Sequence, residues 1–394
     1  MCGGVGGIRQ LAPSEATRLG MTYRKRVFLG LFSIGMCLHL GLPARVLAQG
    51  DSQAGAAVDP SAVAVVPSVY WGAYIQHWPP DPTAIERFSQ IAGKSPSIVA
   101  WGAPWWHGTQ YVDFQRQFFE TVRMHGAIPM LSWGSWDYCC DANQPSFQLD
   151  AIIRGDHDLF LTNWAHAARA WGHPFFLDFD SEMNGWWWPW SEQANGNTAG
   201  KFVAAWRHVV DLFRREGANN VTWVWCPNIV EPLATPLDEV YPGDDYVDWT
   251  CMNGYNWGDV RGKWQDPEQV FGASAYRGES ANFNSDTYAL LRQIAPSKPI
   301  MIGETAAPEV GGSKAEWITD FYTQALPSTF PAVRAIVWFG WFDKGLGVDW
   351  SVATSDDAAA AFANAISLPR YASNDYTLMT AAPIPPPDGS FSGN

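Results

Sequence analysis

The sequence predicts an α/β protein built as a single (β/α)8 TIM barrel. Three observations carry the prediction. Eight short apolar runs alternate with helical stretches after residue 69. Most of these runs are apolar on both faces, as parallel strands covered by helices must be. Eight such units in about 300 residues match the barrel's usual length. The rival is an open doubly wound sheet. It calls for a Gly-rich phosphate loop after the first strand, and YIQHWPP (74–80) is not one.

VYWGAYIQ (69–76) reads as the first strand, with a helix starting near Pro82. SIVAWGA (97–103) is the second, followed by an amphipathic helix over 111–125. IPMLSW (128–133) is the third, and a helix over 158–171 leads to PFFLDFD (174–180), the fourth. A helix at 200–216 precedes VTWVWC (221–226), and WTCMNGY (249–255) follows as the sixth strand. Helical stretches at 286–294 and 314–326 flank PIMIGE (299–304), the seventh. VRAIVWF (333–339) is the eighth, and a last helix covers about 356–366. In such a barrel the site lies at the C-terminal strand ends. Those ends collect polar and aromatic residues here: Trp105 to His107, Trp133, Trp136, Glu182, Asn228, Glu231, Asn253, Tyr255, Glu304 and Trp338.

Residues 1–48 read as an export signal, with Met21 as an alternative translation start. Arg24-Lys25-Arg26 precedes 16 residues, Val27 to Leu42, without a Lys, Arg, Asp or Glu. Val46-Leu47-Ala48 then offers a cleavage point. A spanning helix wants about 20 apolar residues, so cleavage and secretion are expected, with an uncleaved anchor as the alternative. Residues 49–66 form a small, polar linker, the barrel is expected over 67–369, and 370–394 reads as a disordered tail. Cys139, Cys140, Cys226 and Cys251 remain after the leader. Four cysteines permit three pairings; adjacent Cys139 and Cys140 rarely bond each other, and Cys226 and Cys251 could be facing free thiols. No spacing reads as a zinc site, and neither metal nor cofactor is expected.

Charge excludes partners. The chain carries −14, and the part after residue 48 carries −19. So acidic a body repels phosphate backbones and anionic lipid. A neutral polymer suits it, and 23 tryptophans and 13 tyrosines supply flat apolar platforms for the faces of sugar rings. The chain is expected to be a monomer.

The chemistry concentrates in PFFLDFDSEMNGWWWPW (174–190). Asp178, Asp180 and Glu182 alternate, so they share a face if the strand runs through them. A wall of indoles follows. Glu304 ends the seventh strand, opposite the fourth across a narrow mouth. A retaining glycosidase needs two carboxyls about 5–5.5 Å apart, one as nucleophile and one as acid and base. Trp187 and Trp188 would raise the pKa of Glu182, as an acid requires. The Tyr255 hydroxyl would hold Glu304 ionised. His107, His77 and Trp136 could line outer sugar sites, and Trp133 belongs to the same set of strand ends.

EMNGWWWPW (182–190), IMIGET (300–305), YPGDDYVDW (241–249), GYNW (254–257) and VRAIVWF (333–339) together resemble glycoside hydrolase family 26, the β-mannanase family of the retaining barrel glycosidases. The resemblance runs from about residue 69 to 366. It implies that Glu182 is the acid/base and Glu304 the nucleophile. It also implies that Tyr255 orients Glu304, and that Trp187 and Trp338 wall the subsite of the attacked sugar. Three positions depart from the family pattern: Ser181 stands where it has His, Asp178 where it has Arg, and Asn253 where it often has Asp. Asp178 thus exchanges a positive charge for a negative one, which is expected to raise nearby carboxylate pKa values. The expected function is a secreted retaining endo-β-glycosidase acting on β-1,4-mannan. A β-glucanase or xylanase of the same mechanism and a carbohydrate-binding barrel without activity are the alternatives.

Overall fold

A computed structural model describes residues 67–272, 286–373 and 375–388. The leader and the 49–66 linker lie outside the described residues. Eight parallel strands make a closed ring: β1 (Tyr70–Ile75), β2 (Ile98–His107), β3 (Ile128–Asp137), β4 (Phe175–Phe179), β5 (Val221–Trp225), β6 (Trp249–Asn253), β7 (Ile300–Thr305) and β8 (Val333–Gly340). Each pairs with its neighbour in sequence, and β1 closes the ring by pairing with both β2 and β8. Among the described residues, seven helices of seven residues or more pack outside: α1 (Ala84–Ala92), α2 (Arg116–Met124), α3 (Asp158–Trp171), α4 (Lys201–Arg215), α5 (Thr287–Ile294), α6 (Lys314–Asp320) and α7 (Asp356–Ile366). No helix separates β5 from β6.

Strand alternation divides the core into two layers. Tyr70, Tyr74, Ile98, Ala100, Met130, Phe176, Val224, Trp249, Cys251, Met301, Ala335 and Val337 fill the barrel interior. Trp71, Trp101, Leu131, Trp133, Leu177, Trp223 and Trp338 face the helices. The helices meet them with amphipathic stripes. On α4, Phe202, Trp206, Val209, Val210 and Phe213 recur at three- and four-residue spacing and are buried.

The C-terminal segment departs from the expected disordered tail. Tyr371 and Ile384 are buried. The Ile384 N–H donates to Thr222 Oγ1 (2.9 Å) and its carbonyl accepts from Trp249 Nε1 (2.8 Å). Tyr70 Oη donates to the Pro385 carbonyl, and Tyr376 packs edge-on against the Tyr70 ring. Residues 371–373 and 375–385 thereby cover the N-terminal end of the barrel. The prolines and small residues around them mask the few apolar side chains that anchor the stretch.

Cys226 and Cys251, at inward positions of adjacent strands with Cα atoms 4.2 Å apart, are joined by a disulfide. This replaces the expectation of facing thiols. Cys139 and Cys140 are unbonded and exposed.

Candidate active site

Two backbone irregularities deliver the glutamates. β4 ends at Phe179, and the chain turns through left-handed conformations at Asp180 (φ 47°) and Glu182 (φ 58°). Non-glycine residues rarely adopt these angles, which cluster at functional sites. Asp180 stabilises the turn: its two oxygens accept from the Ser135 N–H (2.7 Å) and Oγ (2.8 Å) at the end of β3. It therefore does not share the face of Glu182. The Glu182 N–H donates to the Cys226 carbonyl (2.7 Å), and Asn184 and Asn228 exchange two 2.9 Å bonds. These fasten the loop to the end of β5.

Glu304 depends on a bulge. Ile300 and Ile302 face the helices, so strict alternation would turn Glu304 outward. The register slips by one around Gly303, between Met252↔Ile302 and Asn253↔Glu304. A bulge re-aims the next side chain, and Glu304 enters the mouth. Gly303 also makes room. A Cβ there would stand 2.5 Å from Cys251 Sγ and 2.9 Å from Asn253 Oδ1.

Glu182 is buried, and its two oxygens differ. Oε2 accepts from Trp187 Nε1 (2.8 Å) and Trp188 Nε1 (3.3 Å). Oε1 has only a long contact, 3.4 Å, from Asn253 Nδ2. An indole N–H cannot accept a proton, so a proton on Glu182 belongs on Oε1. Gly185 allows this arrangement, because a Cβ there would stand 2.5 Å from the Trp187 ring. Glu304 receives Tyr255 Oη at 2.5 Å on Oε2, leaving Oε1 clear.

Burial pushes the carboxyls of both Glu182 and Glu304 up, and the Glu182 charge helps push Glu304 up to about 7. The Tyr255 hydroxyl, which donates to Glu304, opposes this by favouring its charge. The Glu182 contribution vanishes once Glu182 is protonated. The pair therefore favours one proton shared between two carboxyls, the state an acid and a nucleophile need.

The other expected residues divide. Asn253 and Trp187 touch Glu182, and Tyr255 touches Glu304. Ser181 is buried with its carbonyl held by Trp190 Nε1 (2.8 Å). His107 is exposed on the rim, its ring 5.7 Å from that of Tyr138. Trp133 is a correction: it points outward among Trp105, Phe160, Trp164 and Phe213. Trp338 is a second: it is fully buried against Trp317 and Phe362, with its N–H on the Trp350 carbonyl. Phe339, the next residue, takes the inward position beside Tyr74 and Tyr255. The strands are apolar on both faces, so periodicity carried no sign for inside. Asp178 is the third. It is 1 % exposed, beneath the mouth rather than on it. It is also not among the main influences on Glu304; instead burial, and after it Glu304 and Glu182, push its own carboxyl up. Sequence reasoning missed Tyr74, Ser132 and Phe339 here; inward parity with Tyr70, Met130 and Val337 was the available signal.

Comparison with known proteins follows the geometry. Residues 61–277 match the family described as Glycosyl hydrolase family 26. Endoglucanase H of Acetivibrio thermocellus is 34 % identical over 295 residues, covering 73 % of this chain and 29 % of that protein. The chain thus spans under a third of that curated relative. A family 26 β-mannanase from Bacteroides ovatus superposes with a TM-score of 0.53 at 17 % identity, over 78 % of this chain and 90 % of that one. A family 26 protein of Muricauda sp. gives 0.55 at 16 % identity, over 78 % and 87 %. At these identities the superpositions speak for the barrel.

Proposed function

Because the chain belongs to glycosyl hydrolase family 26, we propose that it is a retaining endo-β-glycosidase acting on β-1,4-mannan or a related neutral polysaccharide. The observation that carries this is the pair of glutamates aimed into one mouth. One lies under two indole N–H groups and the other under a tyrosine hydroxyl.

Glu304 Oε1 attacks the anomeric carbon while Glu182 Oε1 gives its proton to the departing glycosidic oxygen. The C–O bond breaks and a glycosyl ester on Glu304 forms. Glu182, now ionised, takes a proton from water, whose oxygen displaces Glu304 and restores the starting configuration. The indoles on Glu182 Oε2 keep that carboxyl oriented through both steps. Trp187, half-buried, and Phe339 offer apolar surface to the sugar between the acids. Trp186, 40 % exposed, continues that surface outward.

A β-glucan is the second reading, favoured by the likeness to an endoglucanase. Release of reducing ends from mannan, mixed-linkage glucan and xylan separates the substrates, and binding without release identifies an inactive barrel. Glu304→Ala is expected to abolish hydrolysis, with azide restoring part of it and giving a product of inverted configuration. A wild-type rate in that variant overturns the assignment. The leader reading adds that the protein acts outside the cell as a monomer, with Gln49 as its expected first residue. Terminal sequencing and the mass in solution of the exported form test both.

A further inference from the structure

Lys314 is a buried cation that the mechanism above does not use. It opens α6 and is fully shielded from solvent. Burial disfavours its charge, and so does the positive N-terminal end of a helix. Its ammonium nonetheless has three acceptors for its three protons. Nζ donates to the Asp349 carbonyl (3.1 Å), the Ser351 carbonyl (2.8 Å) and Thr354 Oγ1 (2.9 Å). Thr354 Oγ1 gives its own proton to Glu309 Oε1 (2.6 Å), on the loop after β7. The loop after β8 is thus tied to α6 and to the loop that precedes α6.

The two carbonyls that Lys314 holds flank a single residue, Trp350. That residue is 2 % exposed. Its own N–H donates to the Trp341 carbonyl (2.9 Å), and its carbonyl accepts from Trp338 Nε1 (2.7 Å). The main chain is therefore held at Trp350 and on either side of it. The Trp350 ring meets those of Tyr255 and Trp257 at centroid distances of 5.5 and 5.3 Å. Tyr255 in turn donates to Glu304 Oε2. We propose that Lys314 is a positioning residue: its ammonium clamps the main chain around Trp350, whose ring holds the Tyr255 hydroxyl on the nucleophile. The inference rests on Glu304 being the nucleophile. Burial lowers the amine only to about 8, so the clamp is charged throughout the acidic side of the pH profile.

Lys314→Met keeps an unbranched side chain of similar length and removes the charge and all three donors. The full-length variant is compared with the wild type, Tyr255→Phe and the double variant by kcat/KM against pH. The substrate is whichever of mannan, mixed-linkage glucan and xylan the wild type degrades. Lys314→Met is expected to raise the acidic limb by about one pH unit, as for a weakened donor to a charged group. Below the limb the rate is then about tenfold lower, and above it within about twofold of the wild type. A residue that only holds the fold together would lower the rate by one factor at every pH. In Tyr255→Phe, adding Lys314→Met should move the limb no further, because the hydroxyl it acts through is gone. Two results overturn the proposal: an unmoved limb in folded Lys314→Met, or shifts that add in the double variant. Should Lys314→Met not fold, Thr354→Val removes one of the three acceptors and the link to Glu309. A limb raised by about half a unit there supports the clamp, and an unmoved limb overturns it. Activity in Glu304→Ala would remove the premise separately.

Discussion

Tyr255→Phe isolates one bond at the reacting centre. The phenol donates to Glu304 Oε2 at 2.5 Å, while its ring is held by Trp257, Phe339 and Trp350 at centroid distances of 5.5–5.7 Å. Phe keeps the ring and its packing, so the change removes the donor alone. A hydrogen bond to a charged group contributes about 1.5–3 kcal/mol. One pKa unit corresponds to about 1.4 kcal/mol. The ionised form of Glu304 therefore loses about one to two units of support, and the acidic limb of kcat/KM moves up by that amount. At pH 6 the rate falls by about 10- to 100-fold, whereas above the shifted limb it recovers most of its value. The assay is initial-rate release of reducing ends between pH 4 and 9, with circular dichroism to verify the fold. An acidic limb that stays put or moves down would refute the claim that this hydroxyl holds Glu304 ionised.

Two further outcomes follow. Glu304 is pushed above its ordinary 4.5 to about 7 in the folded chain. Its contribution to stability is fully present below about 4.5 and is lost as pH rises through about 7, roughly 3 kcal/mol in all. Denaturant midpoints measured from pH 4 to 8 should fall for the wild type and fall less for Glu304→Gln; equal slopes contradict the burial argument. The inward position of Phe339 and the outward one of Trp338 predict opposite phenotypes. Phe339→Ala should raise KM or lower kcat about tenfold with a modest loss of stability. Trp338→Phe should lower the unfolding midpoint while leaving KM unchanged, and the reverse pattern would restore Trp338 to the sugar wall.

How much of this was legible beforehand depends on what alternation can say. Eight strands and seven helices were readable because an apolar run of five to ten residues between amphipathic stretches has few other homes. The two glutamates were readable as residue types at strand ends. Their routes into the mouth were not. Glu182 arrives through a left-handed turn and Glu304 through a slip at Gly303, and neither irregularity has a period to detect. The misassigned indoles have a related cause. Trp133 and Trp338 sit in strands whose neighbours are apolar on both sides, so nothing in the pattern distinguishes the sheet's two faces. The inward side is marked instead by Ser132, Asp178 and Asn253, polar side chains in otherwise apolar runs. In the sequence Asp178 reads as a negative charge set beside the acids. Its burial without a cation or donor makes it the group that yields to them.

The covered base of the barrel has a consequence for how the chain is made. Tyr70 opens the first strand, yet its hydroxyl is received by Pro385, 315 residues later. Trp249 and Thr222, at the same end, also wait for Ile384. A chain that has made its eight strands but not yet the segment around Tyr371 to Pro385 can close the ring but leaves its floor open. Until that segment docks, the aromatic side chains at that end stay open to water and to other unfinished chains.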